Sequence, residues 1–124
     1  MEQVPEEEAE PVEPSGHIIA RLARQVEVAV SAVGLSLAQY RLLAILGETG
    51  EAAASKLAEL MAVSRPTITG VVDGLVARGL VVREGVEGDR RRVDVVLTEA
   101  GRALIAAADS EVQRRIADIR SFFS

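Results

Sequence analysis

From His17 to Val33 the apolar residues Ile18, Ile19, Leu22, Val26, Val30 and Val33 return at steps of three and four. This is one stripe of an amphipathic helix, which Gly34 closes. Ser36 is placed to cap a second helix, with Leu37, Tyr40, Leu43, Ala44 and Leu46 inward and with Gly47 and Gly50 ending it. A short third helix is predicted over 55–62, capped by Ser55 and carrying Leu57, Leu60 and Met61. Val63 then leads into Ser64-Arg65-Pro66-Thr67, a cap followed by a proline in a first turn that needs no amide donor. Behind it Ile68, Val71, Val72, Leu75 and Val76 hold the helical period until Gly79. Two short helices joined by a turn of three or four residues make a helix-turn-helix.

Beyond Gly79 the period becomes two. Leu80–Glu84 and Val93–Leu97 read as strands, and the polar stretch 85–92 between them, with Gly85 and Gly88, reads as the loop of a β-hairpin. A hairpin after the second helix of such a pair is a wing. Thr98 caps a last helix whose stripe of Leu104, Ile105, Ala108, Val112, Ile116, Ile119 and Phe122 or Phe123 continues to the end of the sequence. At ~1.5 Å per residue that helix is on the order of 40 Å long, more than a winged domain of this size covers. Its apolar stripe therefore predicts a second chain. The fold class is mainly α with a small antiparallel β-hairpin (α+β): a winged helix-turn-helix with N- and C-terminal dimerisation helices. The segments are an acidic tail read as disordered over 1–15, a first dimerisation helix over 16–34, the winged lobe over 35–98 and a last dimerisation helix over 99–124.

Composition changes this picture in two places. With 2% aromatic residues in a chain that is 48% hydrophobic, the core must be built from Ala, Val, Leu and Ile. The formal charge of −5 argues against a polyanionic partner until its distribution is considered. Residues 1–14 hold Glu2, Glu6, Glu7, Glu8, Glu10 and Glu13 and no base, leaving 13 acids against 14 bases in the remainder. Arg90, Arg91 and Arg92 supply a local basic patch. The absence of cysteine and the single histidine, His17, predict no disulfide, no metal site and no cofactor. No apolar run reaches the length of a membrane span, and the acidic start is unlike a signal peptide, so the expected location is the cytoplasm.

Together, SKLAELMAVSRPTITGVVDGLVARGLVVRE and GDRRRVDVVLTEAGRAL resemble the MarR family of winged-helix regulators, over about Ser36 to Ala103. The Asp-Arg-Arg of the wing, followed by alternating strand residues and Leu-Thr-Glu-Ala-Gly, is the more specific half. The resemblance implies a transcriptional repressor that binds a pseudo-palindromic operator in double-stranded DNA as a homodimer. Its recognition helix would enter the major groove through Ser64, Arg65, Pro66, Thr67 and Thr69, and its wing the minor groove. In the wing, Asp89 would act as brace and Arg91 as the inserted finger, with Arg90 and Arg92 beside it. A narrow minor groove concentrates negative potential, which a guanidinium answers without a unique base pattern. The implied dimer interface comprises Ile18, Ile19, Leu22, Val26, Val112, Ile116, Ile119, Phe122 and Phe123. One departure stands out: positions 70 and 74, commonly long and polar in the family, are glycine here, and Asp73 lies between them.

Family members often bind small aromatic acids, and His17, Arg21, Arg24 and Tyr40 are the candidates here for a carboxylate-binding pocket. The plainer reading makes Tyr40 core and the cations a solvated face. Catalysis has no support, since no nucleophile is paired with a base by a recognisable motif and no glycine loop precedes the only lysine, Lys56. A second class of function fits the same scaffold: a winged-helix protein-interaction module with little or no DNA binding.

Overall fold

A computed structural model describes residues 15–123, and side-chain surroundings through Asp118. Five helices and a three-stranded antiparallel sheet follow in the order α1 (Gly16–Ser31), α2 (Leu37–Thr49), β1 (Glu51–Ala53), α3 (Ala54–Met61), α4 (Arg65–Ala77), β2 (Val81–Val86), β3 (Asp89–Leu97) and α5 (Glu99–Phe123). The sheet order is β1-β3-β2.

The helix starts follow from their caps. The Ser15 hydroxyl accepts from the Ile18 amide at 3.2 Å. Ser36 forms a reciprocal capping box with Gln39. Ser64 caps α4 with Pro66 in its first turn, as the sequence predicts. At α3 the expectation fails: the cap is Ala53, which makes no side-chain bond, and Ser55 lies inside the first turn. Gly47 lies within α2 instead of ending it, and Gly50, at φ +82°, is the stop. The chain turns through 111° between α3 and α4, within the range of helix-turn-helix pairs. Ala62 supports that turn in the left-handed region at φ +58°, and Arg41 donates to the Met61 carbonyl beside it at 2.8 Å.

The core is aliphatic. Leu42, Leu43 and Leu46 of α2 meet Leu57 and Met61 of α3, Ile68, Val72 and Leu75 of α4, and Val81 and Val95 of the sheet. Each such side chain contributes about 1.5–3 kcal/mol by burial. Leu42 was not in the predicted inward set, and Leu60, which was, is 52% exposed. Outside the lobe, α5 packs along α1 and α2. Ile105, Ala108 and Val112 are buried there. Arg115 donates to Gln25 at 2.8 Å and Tyr40 to Asp109 at 2.7 Å, tying the layers together.

This corrects the location of the surplus apolar surface. The described part of the α5 stripe is largely covered by the chain's own α1 and α2, whereas Ile18, Ile19 and Leu22 on α1 stay 48%, 53% and 38% exposed. Val112 lies in the chain's own core, and Val26 and Ile116 are half-buried against it. The Ile119, Phe122 and Phe123 side chains lie outside the described residues. Among the described residues no single helix is long and apolar enough to cross a membrane.

Candidate nucleic-acid interface

The exposed face of α4 begins with Ser64, Arg65, Pro66 and Thr67 and continues through Thr69, Gly70 and Asp73. Its opposite face, Ile68, Val72 and Leu75, is in the core, so helical period alone fixes which side is presented. All three predicted hydroxyls are already engaged. Ser64 Oγ accepts the Thr67 amide at 3.3 Å and donates to Thr67 Oγ1 at 2.9 Å, and Thr69 Oγ1 donates to the Arg65 carbonyl at 3.1 Å. Each keeps lone pairs for a further donor.

Asp73 does not stand alone on this face. Arg83, reaching from β2, donates to its carboxylate. That pairing offsets the only negative charge on the exposed face of α4. Arg83 was not singled out from sequence; its signal is a strand that turns straight back along the helix it follows, bringing position 83 beside position 73.

The wing departs from expectation in a way that matters. Pairing runs from Val81↔Leu97 to Gly85↔Val93, and the next pair is Val86↔Asp89. One step on β2 therefore matches four on β3, and Arg90, Arg91 and Arg92 are pushed out of the ladder as a bulge. The turn itself is only Glu87-Gly88, with Gly88 at φ +86°. The arginines belong to a strand, not to the long loop predicted over 85–92. A bulge re-aims side chains and strengthens local twist.

Asp89 and the three bulged arginines divide the work. Asp89 Oδ1 accepts the Arg91 amide at 3.1 Å, closing the bend. The Arg92 side chain stays half-exposed, its guanidinium engaged by the Asp94 carboxylate with Nε 2.9 Å and Nη2 3.4 Å away. Asp94 is 4% exposed, and the Arg92 hydrogen bond holds its carboxyl below the usual range against the opposing effect of burial. Arg90 and Arg91 are exposed, and among the described residues neither guanidinium has an ion-pair partner.

The two parts of the candidate surface converge. Arg65 at the start of α4, Arg91 and Arg92 of the wing, Asp89 and Ser55 line one open cleft of about 550 Å³. Ser55, read from sequence as a cap, is thereby part of this surface. The proposed effector residues do not converge in the same way. His17, Arg21 and Arg24 are exposed on α1, Arg24 pairs with Glu27 at 2.8 Å, and the Tyr40 hydroxyl is taken by Asp109. Partial burial and the Asp109 bond push the Tyr40 phenol up to about 12.

A 111° helix pair followed by an arginine-bearing hairpin defines a winged helix-turn-helix protein. Residues 33–92 match the MarR family, and the chain belongs to that family. It is 41% identical to the HTH-type transcriptional repressor NicR of Pseudomonas putida over 73 residues, 59% of this chain and 46% of NicR. The chain spans about half the length of the curated relatives it matches. Two solved structures are similar in fold. CouR of Rhodococcus jostii, bound to p-coumaroyl-CoA, has a TM-score of 0.73 at 31% identity, over 80% of this chain and 70% of that one. NadR in complex with 4-hydroxyphenylacetate has a TM-score of 0.75 at 29% identity, over 93% and 87%.

Proposed function

We propose that this chain is a DNA-binding transcriptional repressor that grips a pseudo-palindromic operator as a homodimer in the cytoplasm. On this reading α4 enters the major groove and the wing bulge the adjacent minor groove. The observation that carries it is the cleft in which Arg65 of α4 and Arg91 of the wing face the same concavity. A duplex laid along that surface meets cations from two elements at once, one set for phosphate and one for the groove. Arg91 is the groove finger, braced through its amide by Asp89. Arg90 contacts the backbone, and Arg92 acts indirectly by holding Asp94. Membership of a family whose curated relatives carry repressor names supports the direction of control. The dimer contact is assigned to Ile18, Ile19 and Leu22, continued by Val26, Ile116, Ile119, Phe122 and Phe123. A small aromatic acid or its conjugate is the proposed effector class, by analogy with the molecules bound to NadR and CouR.

The deciding experiment is duplex binding as a function of salt. With Arg65, Arg90 and Arg91 from each protomer, log K should fall against log salt with a slope of about −5. Arg91→Ala should cost about 1–3 kcal/mol of operator binding. Millimolar affinity at low salt, indifferent to Arg91→Ala, would show instead a protein-interaction module.

A further inference from the structure

The exit of the recognition helix is held from two sides. Arg78, its C-cap, donates from Nη1 to the Gly34 carbonyl at 2.7 Å, in the turn between α1 and α2. The next residue, Gly79, has its carbonyl taken at 2.7 Å by the hydroxyl of Thr98, immediately ahead of α5. The Thr98 amide donates to the Leu80 carbonyl at 3.2 Å, and its hydroxyl accepts from the Gly101 amide at 3.0 Å. Gly101 is seated so tightly on this corner that a Cβ there would stand 2.1 Å from the Leu80 oxygen.

Elsewhere α4 packs on α2, α3 and β2 mainly through aliphatic side chains, whose attraction is not directional, and its one ion pair to the sheet, Asp73 with Arg83, lies on the solvent-exposed face. Hydrogen bonds are directional, and these fasten the exit to α1–α2 on one side and to α5 on the other. The end that reads DNA is the opposite one. Over the 13 residues of α4, about 20 Å of lever separates them. A pivot of about 10° at the exit would move the reading end by about 3 Å, close to the ~3.4 Å of duplex axis per phosphate of one strand.

We propose that Arg78 and Thr98 are positioning residues that set the spacing between operator half-sites. They touch no DNA. They fix the angle at which each recognition helix leaves the dimer-forming layer, so that the two reading ends fall a defined number of base pairs apart. The inference rests on the dimeric operator reading above.

The test offers the whole chain a duplex pool in which two copies of its preferred half-site are separated by spacers of every length from zero to ten base pairs. Wild type, Thr98→Ala, Thr98→Ser and the double variant Arg78→Gln with Thr98→Ala are compared below their unfolding temperatures. Wild type should enrich one spacing. Thr98→Ala should spread over at least two adjacent spacings and the double variant further, with base preference inside each half-site unchanged. Thr98→Ser, which keeps the hydroxyl, should restore the single spacing. A Thr98→Ala profile as sharp as wild type overturns the proposal, as does loss of base preference within the half-site. If the double variant does not fold, Thr98→Ala against Thr98→Ser decides alone. A wild type that enriches no paired half-sites refutes the operator reading itself, a separate result.

Discussion

Glycine has opposite meanings at two positions of this chain. At Gly101 a Cβ would lie 2.1 Å from the Leu80 oxygen and 2.7 Å from Leu97 Cδ1, so the residue is required by the approach of α5 to the strand corner. At Gly70 nothing lies within 4 Å, and the helix carries the entropic cost of glycine with no packing reason inside the chain. Gly101→Ala should therefore destabilise by about 1–3 kcal/mol through overpacking. Gly70→Ala should stabilise by about 0.5–1 kcal/mol. Urea midpoints moving in opposite directions would bear this out, and a shared direction would refute it. Tyr40 gives a second residue-scale measurement, because it is the only tyrosine. Its phenolate absorbance should rise near pH 12 rather than 10, and Asp109→Asn should lower that midpoint without restoring 10, since burial is the larger cause. The folded value exceeds the unfolded one, so this contribution to stability is complete below pH 10 and is lost as pH rises towards 12. Tyr40→Phe should abolish that part of the alkaline loss. A wild-type midpoint at 10 would contradict the burial and the bond together.

At the scale of elements, legibility tracked the length of the repeating pattern. The five helices and the two main strands are legible to within a few residues where Leu, Ile and Val recur and where Ser36 and Ser64 cap. β1 was invisible because Glu51-Ala52-Ala53 has neither β-branched residues nor room for a period. It exists because the other edge of β3 offers ladder bonds to whatever passes, pairing Ala52 with Val95. Passing straight from that strand into α3 is also what makes Ala53 the cap and displaces Ser55. The wing was legible in residue type but not in shape, since a polar run with two glycines looks the same as a long loop or as a tight turn with a bulge. Only the register separates the arginines, pairing Arg92 with the buried Asp94 while Arg90 and Arg91 have no ion-pair partner among the described residues. The separation predicts two phenotypes. Arg92→Ala should lower the thermal midpoint by leaving the Asp94 carboxylate buried beside a vacancy. Arg91→Ala should leave stability within about 0.5 kcal/mol and act on DNA alone. Equal melting curves for the two variants would show that the bulge does not divide their roles.

At the scale of the whole molecule, the question is which surface a second copy covers. The length of the last helix points to α5, but α1 and α2 already take its buried residues, and the large apolar side chains that this helical layer leaves uncovered among the described residues are Ile18, Ile19 and Leu22 of α1. A two-fold contact presents the same patch to itself, so one charge placed there confronts its own copy as well as losing apolar burial. Ile19→Glu should therefore yield monomers at micromolar concentration in sedimentation. Its melting should be close to wild type once dissociation is allowed for, because Ile19 is 53% exposed in the single chain and belongs to no intramolecular core. Operator binding should fall to the level of a lone half-site. Leu60→Glu is the matched control: it changes an apolar residue of nearly equal exposure, 52%, on α3, and should leave association untouched. If Ile19→Glu sediments as a dimer, the contact lies elsewhere and the exposed face of α1 requires another explanation. If Leu60→Glu also dissociates, general surface charge and not a two-fold α1 contact governs assembly.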